Sequence, residues 1–317
     1  MKYLLSLIVF LSPLANAGTF YVNPRGGTLA QCDGTTNAPY GGILPSSEAH
    51  PSSSTHCAWV HPFVALPPIN SEHHIPPRIH SGDTLIIAQG SYKMGYDTSI
   101  PETAACYATA TADCKMQPVP PGIDSQHKTK ILGQGWNSGC KNPPILWGAK
   151  GEYAVVDLTG SSNTDVECLE ITDHSSCIIN HCSVQGATCI PAQTDVFVAG
   201  DDFANNGIIA SDASGLSLAN INIHGVYEGV RSGRLTNFSA TNLRLWANSF
   251  AGWDGDIRNG QSGVDTSNYG QIYFNNLVVG WSGCSERWPS STIYGCWDQN
   301  DGGYGDGLGT GPTQGHW

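Results

Sequence analysis

Apolar residues recur along this chain at offsets of 0, +2, +5 and +7. Leu216, Leu218, Ile221 and Ile223 form one set, with Asn220 between the two pairs. A shift of 22 finds Phe238, Ala240, Leu243 and Leu245 around Asn242. A further shift of 34 finds Ile272, Phe274, Leu277 and Val279 around Asn276. Upstream, Thr164, Val166, Leu169 and Ile171 fit the same frame, with Cys168 in the Asn slot. Each pair predicts a strand with alternate residues inward, and the extra residue between pairs predicts a corner. Alternation broken at one fixed place, and repeated, predicts a solenoid coil of about two dozen residues.

Asn suits the corner because it tolerates left-handed backbone angles, and its amides can bond to one another when stacked. The 34-residue step predicts an insertion, placed at Asp254 to Thr266. The 52-residue step from Thr164 to Leu216 predicts two coils plus a loop. A second repeated strand begins at Gly207, Gly229 and Gly252. Ile208, Val230 and Trp253 then point inward, and Ile209, Arg231 and Asp254 outward. Asp306-Gly307-Leu308-Gly309 reads as the start of another copy.

Residues 18–125 are irregular and rich in Pro, Ser, His and Cys. Asp83 to Ala88 reads as a short buried strand, and Pro67-Pro68, Pro76-Pro77 and Pro120-Pro121 interrupt any long helix. Before them, Lys2, the apolar run Tyr3 to Ala15 and Ala15-Asn16-Ala17 read as a secretory signal peptide over 1–17. Export makes disulfides the expected use of the eleven cysteines. Cys32/Cys57, Cys106/Cys114 and Cys284/Cys296 are plausible loop staples. A zinc site at Cys168, Cys177, Cys182 and Cys189 is the weaker alternative, because the gaps differ from structural zinc spacings.

These features resemble the right-handed parallel β-helix proteins of the pectate lyase-like superfamily. Phe20-Tyr21-Val22-Asn23-Pro24 with Gly26-Gly27, then Gly82-Asp83-Thr84 through Gly90-Ser91-Tyr92, look like the opening region of secreted bacterial members. The resemblance implies an all-β parallel β-helix with an irregular, disulfide-containing N-terminal region. Residues 18–125 would hold the N-terminal cap and first strands, and 126–317 the coils. No capping segment is legible after 311, so the solenoid is expected to be truncated at the C-terminus.

Composition narrows the partners. Only 13% of residues are charged, with 26 acids against 14 bases and a net charge of −12. Nucleic acid is therefore not an expected partner, since phosphate binding needs clustered Lys and Arg. Apart from the leader no apolar run spans a membrane. The expected product is a secreted or periplasmic monomer that meets extracellular polysaccharide.

In the lyases of that superfamily, acidic side chains hold Ca²⁺ against a uronate carboxylate, and Arg or Lys removes the neighbouring proton. The resemblance thus implies Arg231 as base and Asp254, Asp256 and Asp265 as calcium ligands, calcium preferring several oxygen donors. Arg is a poor base without help from neighbours, and a surface ion pair of Arg231 with Asp254 stands as the plainer alternative. Asp201-Asp202 resembles the adjacent Asp pair of polygalacturonase-type hydrolases, with a turn or metal loop as its alternative. The favoured expectation is a Ca²⁺-assisted polysaccharide lyase. A non-catalytic binding or adhesion module and a glycoside hydrolase are the alternatives.

Overall fold

The structure, a computed structural model, describes residues 17–41, 55–69, 75–97, 99–106, 114–148, 152–173, 204–248, 250–255, 269–280 and 308–309. Its strands are β1 (Thr19–Gly27), β2 (Pro68–Ile69), β3 (Thr84–Ile87), β4 (Ser91–Met94), β5 (Lys115–Met116), β6 (Thr129–Gly133), β7 (Ile145–Gly148) and β8 (Glu152–Asp157). Then follow β9 (Thr164–Thr172), β10 (Ala204–Ser214), β11 (Ser217–His224), β12 (Glu228–Thr236), β13 (Phe238–Trp246), β14 (Ala251–Asp254), β15 (Ile272–Gly280) and β16 (Leu308–Gly309). The four-residue helix α1 (Pro62–Ala65) starts at the His61 cap.

Two parallel sheets dominate this all-β architecture. The first runs β1-β3-β6-β9-β11-β13-β15, with β7 pairing β4 and β9; the second runs β8-β10-β12-β14-β16. From β8 onward, successive strands alternate between the two sheets. Each therefore pairs in parallel with the strand two places along the chain. Only β2 and β5 pair antiparallel.

The apolar frame sets the register. Leu218 sits beside Val166 and Ala240, and Ile221 beside Leu169 and Leu243. All the frame positions of β9 and β13, and those preceding and within β11, are buried. The same offsets in β15 are only half-buried, packed against the core edge. In the second sheet Ile208, Val230 and Trp253 stack in register and belong to the core. Leu308 pairs with Trp253 and Gly309 with Asp254, so Leu308-Gly309 joins this ladder.

The corner residues are left-handed. Cys168, Asn220, Asn242 and Asn276 have φ of 64, 53, 53 and 60°. Asn276 Nδ2 donates to Asn242 Oδ1 at 2.9 Å, and Asn242 Nδ2 to Asn220 Oδ1 at 2.9 Å. Asn220 Nδ2 donates in turn to Glu167 Oε1 at 2.8 Å. The column offsets the roughly 1–2 kcal/mol that a left-handed L-residue costs.

One expected spacing is corrected. β9 pairs directly with β11, so the 52-residue step spans a single turn of the chain rather than two. Its surplus lies between Thr172 and Ala204, because the ladder counts only strand residues. The 34-residue step likewise joins adjacent strands β13 and β15.

The disulfides Cys32–Cys57 and Cys106–Cys114 match the expected staples. A third, Cys140–Cys168, was not anticipated, and it takes Cys168 out of the zinc alternative. Cys284 and Cys296 lie outside the described residues, as do residues 1–16 of the leader. Near Cys32–Cys57, Phe20 stacks on Trp59 with centroids 5.2 Å apart. Gly34, at φ 76°, lets the chain pass that ring, which an added Cβ would meet at 2.6 Å. Among the described residues no helix is long and apolar enough to cross a membrane.

Candidate functional site

Two outward surfaces gather polar chemistry. On the second sheet, Arg231 of β12 lies in register with Asp254 of β14 and with Ile209 of β10. Arg231 Nε is 3.5 Å from Oε2 of buried Glu228, and Nη1 reaches the Tyr153 hydroxyl at 3.5 Å. Tyr227 lies nearby and stacks on Phe250 at 4.8 Å. Burial raises its phenol pKa, the charges of Glu228 and Asp254 raise it further, and Arg231 opposes them. A guanidinium among carboxylates is suited to holding an anion or an ion pair more than to accepting a proton. Lys115 Nζ donates to Asp157 at 2.7 Å at the edge of this strip.

Of the expected site residues, the structure thus brings Arg231 and Asp254 together. Asp201, Asp202, Asp256 and Asp265 lie outside the described residues. Among the described residues no three His, Cys, Asp or Glu side chains gather to hold a metal. Asp254, the one expected calcium ligand among them, has a cation beside it, which opposes a second positive charge.

The other surface is the outward face of the first sheet. Outward positions between the two members of the second frame pair place Glu170, Asn222, Arg244 and Val278 in one row across β9, β11, β13 and β15. Two residues further along, His224, Trp246 and Gly280 align, with Thr172 ending β9. His224 is buried. Its Nε2 lies 3.0 Å from Glu170 Oε1, and Nδ1 lies 3.4 Å from Thr172 Oγ1. The carboxylate is the accessible end of this chain, with the Glu170 side chain 28% exposed against 5% for His224.

Trp246 lies flat on the imidazole, with centroids 4.6 Å apart and planes 17° from parallel. Its Nε1 donates to Asn222 Oδ1 at 2.9 Å, which fixes the indole. Beside it, a side chain added at Gly280 would meet nothing within 4 Å among the described residues. Arg244 is exposed and has no ion pair among the described residues. One surface therefore offers a carboxylate–imidazole pair, an amide, a cation and an aromatic plane.

Sequence reasoning missed the Glu170–His224 pair, Asn222 and Arg244. The signal was present, because all these residues occupy outward offsets of the repeat itself. Reading the 52-residue step as two turns separated Glu170 and Thr172 from His224.

No family model matches the chain, and comparison with curated proteins finds no match. Among solved structures, the chain is similar to an alginate lyase from Paenibacillus sp. str. FPU-7 at 14% identity and a TM-score of 0.36. That similarity covers 62% of this chain and 51% of the other. It is also similar to a rhamnogalacturonan lyase at 12% identity and a TM-score of 0.38, over 85% of this chain and 64% of that one. The chain thus spans less than two thirds of either.

Proposed function

We propose that this chain is a secreted, monomeric right-handed parallel β-helix that binds and acts on an extracellular polysaccharide. Residues 18–125 contribute its first strands and loops, and 126–317 its coils. The alternation of strands between two parallel sheets and the amide column support that winding. The observation that carries the function is the Glu170–His224 pair beneath Trp246, with Arg244 in the Glu170 row. Pyranose rings present apolar C–H faces that stack on an indole, and carboxylated sugars seek a guanidinium.

β-Elimination is the favoured reaction. Arg244 holds the uronate carboxylate. Glu170, backed by His224, takes the proton on the carbon next to it. That C–H pair forms the ring double bond, and the glycosidic oxygen leaves with a proton from solvent. Asp254, Asp256 and Asp265 would hold Ca²⁺, which would neutralise a further carboxylate of the polymer. The second reading is a non-catalytic binding module, favoured by the Arg231–Glu228 ion pair, which suits a structural role for Arg231. Hydrolysis by Asp201 or Asp202 is the third.

The test is incubation with a panel of polyuronates, with and without Ca²⁺. Ultraviolet absorbance from an unsaturated product supports the lyase, reducing ends without it support the hydrolase, and binding alone supports the module. Glu170→Gln and His224→Gln should each lower turnover by about 10²-fold or more, the range of acid–base catalysis. Full activity in both variants would remove this face from the reaction.

A further inference from the structure

A groove of about 340 Å³ lies at the N-terminal strands, lined by none of the residues named for the two surfaces above. Its polar lining is Asn23, Arg25, Asn37, Gln89 and Gln134, and its apolar lining only Pro24 and Ala88. The volume falls at the lower end of the roughly 300–1,000 Å³ of small-molecule sites. No lining residue is acidic, although the chain has 26 acids against 14 bases.

The hydrogen bonds show which groups remain for a ligand. Asn23 Oδ1 accepts from the Arg25 backbone N–H at 3.0 Å, and Asn37 Oδ1 from Asn23 Nδ2 at 3.1 Å. Gln134 Oε1 accepts from the Gln89 backbone N–H at 3.0 Å. Three amide oxygens are therefore engaged, and these bonds assign the orientation of each amide. Asn37 Nδ2, Gln134 Nε2, the Arg25 guanidinium and the Gln89 side-chain amide have no hydrogen-bond partner among the described residues. All of these groups but Gln89 Oε1 are donors.

Those donors stand on a fixed backbone. Tyr40 N–H donates to Arg25 O at 2.8 Å, Gly27 N–H to Ala58 O at 2.9 Å and Gln134 N–H to Ile87 O at 2.7 Å. An anchored backbone lowers the ordering cost of binding.

We infer that this groove binds a carboxylate-bearing saccharide, with Arg25 on the carboxylate and the Asn37 and Gln134 amides on ring hydroxyls. A guanidinium fork matches a carboxylate in two bonds. A bare small anion would engage the guanidinium and leave the amides and most of the volume unused. The near absence of apolar lining disfavours fatty or aromatic acids. The inference does not rest on the Trp246 face.

Isothermal titration of the full chain tests it, with a galacturonic acid trisaccharide, a galactose trisaccharide, sodium acetate and sodium sulfate as probes. In an Arg244→Ala background, which removes the carboxylate contact of the Trp246 face, the acidic trisaccharide is expected to bind, and to weaken at least tenfold when Arg25→Ala is added and severalfold when Gln134→Ala is added. The neutral trisaccharide should bind more weakly and ignore Arg25→Ala. Unchanged binding of the acidic trisaccharide when Arg25→Ala is added overturns the inference. So does acetate or sulfate binding as tightly as the trisaccharide, which marks a simple anion site. Acidic-trisaccharide binding that is abolished by Arg244→Ala alone also overturns it, while leaving the lyase reading intact.

Discussion

Cys168 and Asn220 hold the same left-handed corner in adjacent strands, at φ 64° and 53°, but use their side chains differently. Asn220 joins the amide column. Cys168 ends it with a disulfide to Cys140, 28 residues earlier. The amide of Asn220 therefore turns to Glu167 instead of to a corner amide.

That substitution predicts a stability hierarchy. Cys140→Ser should cost about 3–4 kcal/mol, the loop-closure value for a bridge of this span. Adding Cys168→Asn to Cys140→Ser should recover about 1 kcal/mol by extending the column. Urea midpoints of the three proteins measure both changes. No recovery in the double variant would show that the column adds nothing beyond the backbone corner.

Arg231 lies 3.5 Å from a Glu228 carboxylate whose side chain is only 6% exposed. Arg231→Ala should therefore cost about 2 kcal/mol or more before any effect on a ligand. Arg231→Met combined with Glu228→Gln should restore much of it. Thermal unfolding beside polysaccharide binding separates the roles: restored stability with binding still lost makes Arg231 a ligand contact.

His61 should generate a stability slope on the acid side. Its Nδ1 accepts from Phe63 N–H at 3.1 Å, and its Nε2 faces Lys93 O at 3.0 Å, a pattern that requires neutral imidazole. Burial is the main cause that lowers its pKa from 6.5 to about 4. Between these values the unfolded chain binds the extra proton, so stability is full above about pH 6.5 and falls toward pH 4. The loss is at most about 3 kcal/mol. His61→Asn, which keeps a cap acceptor, should flatten that part of the profile. An unchanged slope assigns it to other groups.

Glu152 should act in the opposite direction. It is fully buried, neither carboxylate oxygen has a hydrogen-bond partner among the described residues, and burial raises its pKa well above 4.5. The folded state then retains a proton that the unfolded state releases, so stability falls as pH rises above about 4.5. Glu152→Gln should raise the melting temperature at pH 7 and change it little at pH 4. Equal effects at both values would mean the gain is packing rather than charge.

The strands were readable because inward residues alternate, and alternation survives in one dimension. The corner was readable because Asn is among the few residues that accept positive φ. The Cys140–Cys168 bridge was not, since Cys140 sits outside the frame, in the segment between β6 and β7. The His224 group failed for another reason: its partners are 52 and 54 residues upstream, and a mistaken count of turns hid them.

Sequence alone determined the repeated inward set and the positions of its corners, because burial and backbone angle are written residue by residue. The tertiary structure decided which strands are neighbours, and hence that Glu170, His224 and Trp246 share one face. Chain length between strands carries no record of whether an excess forms another turn or bulges out. Hydrogen-bonded register, absent from a linear string, makes that choice.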